Sequence, residues 1–434
     1  MKTAPQVQRE GALKRTSRFR RSCVVAAARP MMRKVAPTSA SEPFHPLELP
    51  TVLMPSVELS ADLVSRVEYE TEWWYYYGYL EAGTRRFAFH LAFFRRRTDD
   101  VWIGSVFPLR WLGKHVRFAH FGLTDFTRRR FRYGHQRSMF NHGGTSADRF
   151  HVWIRDWSIS AAGTDHRLRA ALDDAAIDLQ LSPLKAAVFH RPPFGFLDGP
   201  NLPARYWSCP RLSVAGQVTV EGQVVDVVGT AWMDRAYGRL ALSHEASRAE
   251  GWDWFGIQFD DGRELMFHRQ RAFGDPADEV PVHATLIDGD GRAEYLKSSD
   301  LTARARSYWT SPRTAVRYPI SWMIAAPAHG IDLTIEPRLR NHELDTRGST
   351  CLMYWEGPGE VVGTVNDRAV TGRGFVELVG YDRRSVPTGC FDFQSGNLSL
   401  LGVLNNERWY RASRDGVLEA DGAFPEQETA TGNR

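Results

Sequence analysis

The feature that most constrains this chain is Glu70-Thr-Glu-Trp-Trp-Tyr-Tyr-Tyr-Gly-Tyr-Leu80, in which five consecutive residues are Trp or Tyr. An amphipathic helix has no use for an unbroken aromatic run, whereas a β-strand sends alternate rings into a barrel and onto its outer face. Glu81-Ala-Gly83 supplies a turn, and Phe87-Ala-Phe89-His-Leu91-Ala-Phe93 returns with a period of two, so the stretch reads as a hairpin forming the wall of an apolar pocket. Its acids allow two readings. They are solvated beside ordinary core rings, or Glu72, next to two tryptophans, is partly desolvated and serves as a proton donor or hydrogen-bond anchor.

Strand-like segments continue through Val101–Ile103, Phe118–Leu123, Phe150–Ile154, Leu168–Ala170, Ile177–Leu181 and Gln217–Val220, separated by Gly, Asp and Pro turns, with almost no helical periodicity. That density predicts an all-β chain forming a closed barrel or a sandwich. The pattern then returns. At an offset of 179, Trp73 matches Trp252, Tyr75 matches Trp254, Tyr76 matches Phe255, Leu80 matches Phe259 and Gly83 matches Gly262. At an offset of 143, Gly216 matches Gly359, Val218 matches Val361, Gly229 matches Gly372 and Asp234 matches Glu377. The expectation is an internal duplication whose second copy is shortened in its middle: a basic leader over 1–44, domains over 45–242 and 243–385, and a largely irregular tail over 386–434.

Charge narrows the partners. The net charge of +4 arises from residues 1–34, with ten Lys/Arg against Glu10, while the remainder holds 45 basic and 50 acidic residues. A basic tail on a mildly acidic body is a weak footprint for nucleic acid, so none is expected as a partner. No apolar run approaches the roughly 18 residues of a membrane span. Arg29 cuts the run Cys23–Ala28 below the about 7 residues of a secretory core, so no signal peptide is read; a cytoplasmic or membrane-peripheral location, with peripheral membrane contact, is expected. Cys23, Cys209, Cys351 and Cys390 lie far apart, which suggests neither a disulfide framework nor a thiolate metal site.

The strongest chemical constellation is Ala204-Arg-Tyr-Trp-Ser-Cys-Pro210 followed by Gly229-Thr-Ala-Trp-Met-Asp-Arg-Ala-Tyr-Gly238. Trp232 and Asp234 are two apart and share a strand face, placing the acid among aromatic rings. Burial would keep such a carboxyl protonated near neutrality. It could then protonate a carbon–carbon double bond, with Tyr206, Trp207 and Trp232 stabilising the cation. The alternative is an ion pair of Asp234 with Arg235 or Arg205 that closes the barrel. His120 reads either as a satisfied core histidine or as a polar anchor. His244-Glu-Ala-Ser-Arg248 lacks the second histidine of a zinc motif, and no G-x-S-x-G or dinucleotide loop is present, so neither metal nor cofactor is expected.

Glu70-Thr-Glu-Trp-Trp-Tyr, Phe89-His-Leu-Ala-Phe-Phe-Arg95, Ala119-His-Phe-Gly-Leu-Thr-Asp125, Gly229-Thr-Ala-Trp-Met-Asp234, Gly251-Trp-Asp-Trp-Phe with Asp261-Gly-Arg-Glu-Leu-Met266, and Tyr354-Trp-Glu-Gly357 together carry a family resemblance. From His45 to Tyr381 the chain resembles the carotenoid 1,2-hydratase and AttH-like superfamily. The resemblance implies two consecutive lipocalin-like (calycin) antiparallel β-barrels that bind a hydrophobic isoprenoid or polyketide-like molecule and, in some branches, hydrate or cyclise it by acid catalysis without a cofactor. In the hydratases the acid lies in a Tyr-x-Asp element downstream of a His-x-Trp element. Asp234 and Trp207 hold the corresponding places here, with Arg205 for the histidine and Trp232 for the tyrosine, as in the AttH-like branch. The expected site has Asp234 as catalytic acid and Glu72, Trp74, His120, Arg205, Tyr206, Trp207, Trp232 and Trp254 around the ligand. The competing expectation is a non-catalytic carrier of a hydrophobic metabolite.

Overall fold

A computed structural model describes residues 62–382 apart from short segments (100–101, 104–106, 112, 139–141, 191–204, 239–249, 273–281, 348 and 351), together with three strands between 400 and 423. The expected leader and the expected boundary near 242 lie outside the described residues. Apart from short helical turns, every described element is a strand. The first sheet is built from β1 (Thr71–Ala82), β2 (Arg85–Arg97), β5 (His115–Asp125), β6 (Arg130–Ser138), β7 (Gly143–Thr145), β8 (His151–Ile154), β9 (Trp157–Ala162), β10 (Asp165–Ala171), β11 (Ala175–Pro183), β12 (Val188–Phe189), β13 (Arg205–Val220) and β14 (Gln223–Gly238); β3 (Trp102–Ile103) and β4 (Phe107–Pro108) form a separate ribbon. The second sheet contains β15 (Glu250–Phe259), β16 (Glu264–Ala272), β17 (Val282–Ile287), β18 (Ala293–Leu296), β19 (Thr302–Thr310), β20 (Arg317–Ala326), β21 (Ile331–Pro337), β22 (Glu343–Asp345), β23 (Met353–Val365) and β24 (Arg368–Val379). In the stretch expected to be an irregular tail, β25 (Leu400–Gly402), β26 (Arg408–Ala412) and β27 (Leu418–Ala423) pair as a small sheet.

Strand order shows the duplication directly. The first sheet runs β6-β5-β2-β1-β14-β13-β11-β10-β9-β8-β7, and the second runs β18-β17-β16-β15-β24-β23-β21-β20-β19. The two orders superpose element for element, with β7 and β8 lacking counterparts, so the shortening falls in the middle of the second copy. The first sheet curls into a nearly closed lipocalin-like barrel and the second into a half-barrel. Trp73 and Trp252 sit on the equivalent strands β1 and β15, and the ladders keep the offsets: Tyr75 faces Asp234 as Trp254 faces Glu377.

Half of the second sequence correspondence is corrected by the register. Gly229 and Gly372 are equivalent, facing Leu80 and Phe259. Gly216, however, faces Leu179 as Gly363, not Gly359, faces Leu333, so the offset on this strand is 363 − 216 = 147. Val218 is likewise not the partner of Val361. Sequence matching slid four residues because the second hairpin is four residues shorter. The physical marker is backbone crowding: both glycines have φ of 153°, and a Cβ would stand 2.2 Å from the Asp178 carbonyl oxygen at Gly216 and 2.0 Å from that of Asp332 at Gly363.

Period-two alternation explains the aromatic run. Trp74 and Tyr76 turn into the first barrel, where Trp74 stacks near Phe150 and the Tyr76 hydroxyl meets His166 Nδ1 at 2.9 Å. Tyr75, Tyr77 and Tyr79 turn outward and pack with Trp232, Trp254, Met266 and Phe375. The Tyr79 hydroxyl donates to the Gly374 carbonyl at 2.8 Å. Both barrels belong to one compact unit, Pro55–Arg434, and one aromatic strand supplies both a barrel core and the seam between barrels. The half-barrel has its own core around Phe255, Phe267, Trp322 and Trp355.

Candidate functional site

The expected site residues fall into two groups on opposite faces of β1, β13 and β14. Glu72, Trp74, Arg205 and Trp207 gather with Asp62, beside the segment that precedes β1. Glu72 accepts from Arg95 Nε at 2.5 Å, Arg235 Nη2 at 2.6 Å and the Arg66 backbone N–H at 2.8 Å. Burial pushes this carboxyl up, but Arg235 and Arg95 outweigh burial and hold it at about 2. Trp74 donates to the Leu63 carbonyl at 2.9 Å and carries the Arg235 guanidinium over its ring at 4.1 Å. Trp207 Nε1 donates to Asp62 Oδ2 at 2.9 Å, and Arg205 reaches Asp62 Oδ1 at 3.2 Å. This group is an ionic clasp, with every carboxylate facing a donor.

Asp234, Tyr206, Trp232, Trp254 and His120 lie on the other face, in the seam. Asp234 is 4% exposed. Its carboxyl accepts from the Tyr206 hydroxyl at 2.6 Å, from Trp232 Nε1 at 2.5 Å and from the Ser208 hydroxyl. Trp254 Nε1 in turn donates to the Tyr206 hydroxyl at 2.9 Å, tying the acid to the second barrel. Ser208 Oγ also meets His190 Nε2 at 2.6 Å, and His190 Nδ1 meets Thr285 Oγ1 at 3.0 Å. Neither of the two arginines that could have closed an ion pair with Asp234 is available: Arg235 is committed to Glu72, and Arg205 to Asp62. Burial therefore dominates, and the Asp234 carboxyl rises to about 6 despite the three donors.

His120 lies further along the seam, its Nδ1 2.8 Å from the Tyr354 hydroxyl and its Nε2 3.3 Å from Ser349 Oγ, spanning the two barrels. Burial holds it well below the ordinary histidine range, hence neutral. Trp73, Phe94 and Trp252 are partly exposed and pack against the aromatic cluster of the seam. A cleft of about 20 Å³ between Tyr79, Phe126, Arg338 and Arg373 has room for one water; it lies four residues along β1 from Tyr75 and takes no part in the acid's surroundings.

Several residues of the seam escaped sequence reasoning. Ser208 and His190 back Asp234; Tyr75 and His90 of the first barrel meet Glu356 of the second, whose strand neighbour is Glu377. Glu377 left a signal as the counterpart of Asp234, and Tyr75, His90 and Glu356 lie in quoted segments that did not mark them as members of this site. Among the described residues no group of three or more His, Cys, Asp or Glu is placed to hold a metal ion, and no helix is long and apolar enough to cross a membrane.

Two lipocalin-like barrels joined along an aromatic seam define a double-barrel protein of the calycin type. Residues 51–381 match the AttH-like family, and the chain belongs to it. Its fold is similar to that of an AttH from Nitrosomonas europaea, solved at 2.00 Å resolution, with 26% identity and a TM-score of 0.64 over 77% of this chain and 100% of that one. It is also similar to kievitone hydratase from Nectria haematococca, with 15% identity and a TM-score of 0.58 over 76% of this chain and 94% of that one. No curated protein matches the chain.

Proposed function

We propose that this AttH-like protein is a cofactor-independent, acid-catalysed hydratase or cyclase acting on a hydrophobic isoprenoid or polyketide-like molecule, with Asp234 as the general acid. One observation carries the reading: Asp234 is a buried carboxyl held by three neutral donors, without a contacting cation. An acid with a value of about 6 keeps an appreciable protonated fraction near neutrality and loses its proton to a forming carbon–hydrogen bond more readily than an ordinary alcohol or amide. Transfer of that proton to an alkene would leave a carbocation facing Tyr206, Trp232 and Trp254, whose π-faces attract positive charge. Water, or an internal double bond in a cyclisation, would then capture the cation. Trp207 lies outside this set, because its cross-strand partner is Arg235 and its ring is on the clasp face. The kievitone hydratase likeness supports the fold; the reaction class rests on Asp234.

The test incubates the full chain with detergent-dispersed acyclic polyenes such as squalene and lycopene in H2-18O. Wild type should add one labelled water or yield an isomer, and Asp234→Asn should lose about a hundredfold or more of that rate while still quenching tryptophan fluorescence on ligand binding. Ligand binding without product in wild type would favour the carrier reading. Full activity in the Asn variant would remove Asp234 as the acid.

A further inference from the structure

Across the seam from Asp234, the second barrel brings together two more carboxyls. Glu356 of β23 and Glu377 of β24 are directly opposed in an antiparallel ladder, where facing Cβ atoms stand about 4.5–5.5 Å apart. Glu377 holds the position on β24 that Asp234 holds on β14. Tyr75, the cross-strand neighbour of Asp234, donates its hydroxyl to Glu356 Oε1 at 2.5 Å, reaching from the first barrel to the second. Trp252 Nε1 donates to Glu377 Oε2 at 3.2 Å. His90 of β2 is 1% exposed, places Nδ1 3.6 Å from Glu356 Oε1 and has no partner at Nε2. Tyr354 and His120 complete the surroundings.

Among the described residues neither glutamate pairs with a guanidinium or ammonium group. Burial pushes both upward, helped at Glu356 by the charge of Glu377 and at Glu377 by that of Asp234: Glu377 rises to about 7 and Glu356 well above the usual carboxylate range, while burial keeps His90 neutral at about 3. Two opposed carboxyls in a buried ladder do not ionise together readily, so the pair holds one proton near neutrality. Glu377 is also partly exposed, as is its donor Trp252, so this member of the pair can exchange protons with water.

We propose that the Glu356–Glu377 pair is the second proton-transfer group of the seam, taking up the proton released when water adds to the cation generated by Asp234. The inference rests on the hydratase reading. In the step, the alkene π-pair takes the Asp234 proton to form a C–H bond, leaving a cation and the Asp234 carboxylate. The water oxygen's lone pair forms the C–O bond, and its surplus proton passes to the ionised member of the pair, which then carries two protons. One of these returns through solvent at Glu377 to Asp234, and the net reaction is addition of one water to one double bond. Asp234 from one barrel and its counterpart from the other thus act as opposite partners in one turnover.

Two measurements on the full chain test this. With carboxyl-labelled glutamate and no ligand, carbon NMR should show the pair titrating in two steps separated by more than about one pH unit, with Glu356→Gln or Glu377→Gln leaving a single step. With a polyene that wild type hydrates in H2-18O, each Gln variant should lose about a hundredfold in kcat at unchanged melting temperature and ligand affinity, while Glu377→Asp retains most of the rate. Ordinary, independent titration of both glutamates, or full turnover in both Gln variants while Asp234→Asn is dead, would overturn the pair and leave the hydratase reading standing. An inactive wild type that binds the polyenes would remove both.

Discussion

Glu72 and Asp234 are buried carboxyls on neighbouring antiparallel strands, yet they sit in opposite electrostatic states. Glu72, wholly buried, lies on the clasp face with Arg95 and Arg235 against it and is held at about 2. Asp234, three registers further along the same ladder, meets only neutral donors and rises to about 6. Burial penalises both. The counter-charge decides, because an ion pair repays desolvation with Coulomb energy whereas hydroxyl and indole donors repay only part of it. A carboxyl of the first kind holds a barrel together; one of the second kind is poised to exchange a proton.

The largest expected effect breaks the clasp. Glu72→Gln leaves Arg95 and Arg235 buried without their shared counter-ion, which should cost about 3–5 kcal/mol and lower the melting temperature sharply. Asp234→Asn, by contrast, removes an acid without stranding a cation. Calorimetry of the two variants at neutral pH checks the contrast, and a larger loss in the Asp234 variant would reverse it.

Stability against pH should separate the same two groups by sign. The folded value of Glu72, about 2, lies below its ordinary 4.5, so its contribution is present above 4.5 and fades as pH falls toward 2. The folded value of Asp234, about 6, lies above its ordinary 3.8, so its contribution is present below 3.8 and fades as pH rises through 6. Urea titrations from pH 3 to pH 8 should therefore give a shallower upper slope in Asp234→Asn than in wild type, the remainder belonging to the raised Glu356 and Glu377. Identical slopes would mean that Asp234 has an ordinary affinity for its proton.

A smaller effect should follow from Tyr206→Phe, which removes a donor to the Asp234 carboxylate. The carboxyl should rise further and the alkaline limb of the activity profile should move up, at about 1 kcal/mol of stability; an unmoved limb would argue against that hydrogen bond. The smallest belongs to Arg205→Ala. Its side chain is 42% exposed, and the buried Asp62 keeps donors from Trp207, Tyr237 and Arg66, so losing this solvent-screened contact should cost about 1 kcal/mol or less and melting temperature and turnover should hardly change.

Legibility differed between the two faces for a local reason. Trp232 and Asp234 share a face by being two apart, and Trp254 and Glu377 repeat Tyr75 and Asp234 in the second copy, so the seam's main acid and its counterpart could be read from spacing. Glu72 was expected to be partly desolvated because of its neighbours Trp73 and Trp74. What answers its charge is Arg95 on the next strand and Arg235 from 163 residues away, and no local pattern marks either as its partner. The drift at Gly216 has the same origin. Matching by residue type accepts any glycine, whereas the ladder admits only the one whose missing side chain lets a facing carbonyl approach.

Sequence by itself determined the strands, their alternation, the repetition of the hairpin and hence a double barrel, because period-two patterning and turn residues act over a few positions. Tertiary structure decided which outward-facing rings became a seam, which carboxyls met arginines, and that Asp234 of one barrel lies in the same seam as Glu356 and Glu377 of the other. Those outcomes depend on which charges are brought together in a medium that screens them poorly, and that is a property of the packed chain.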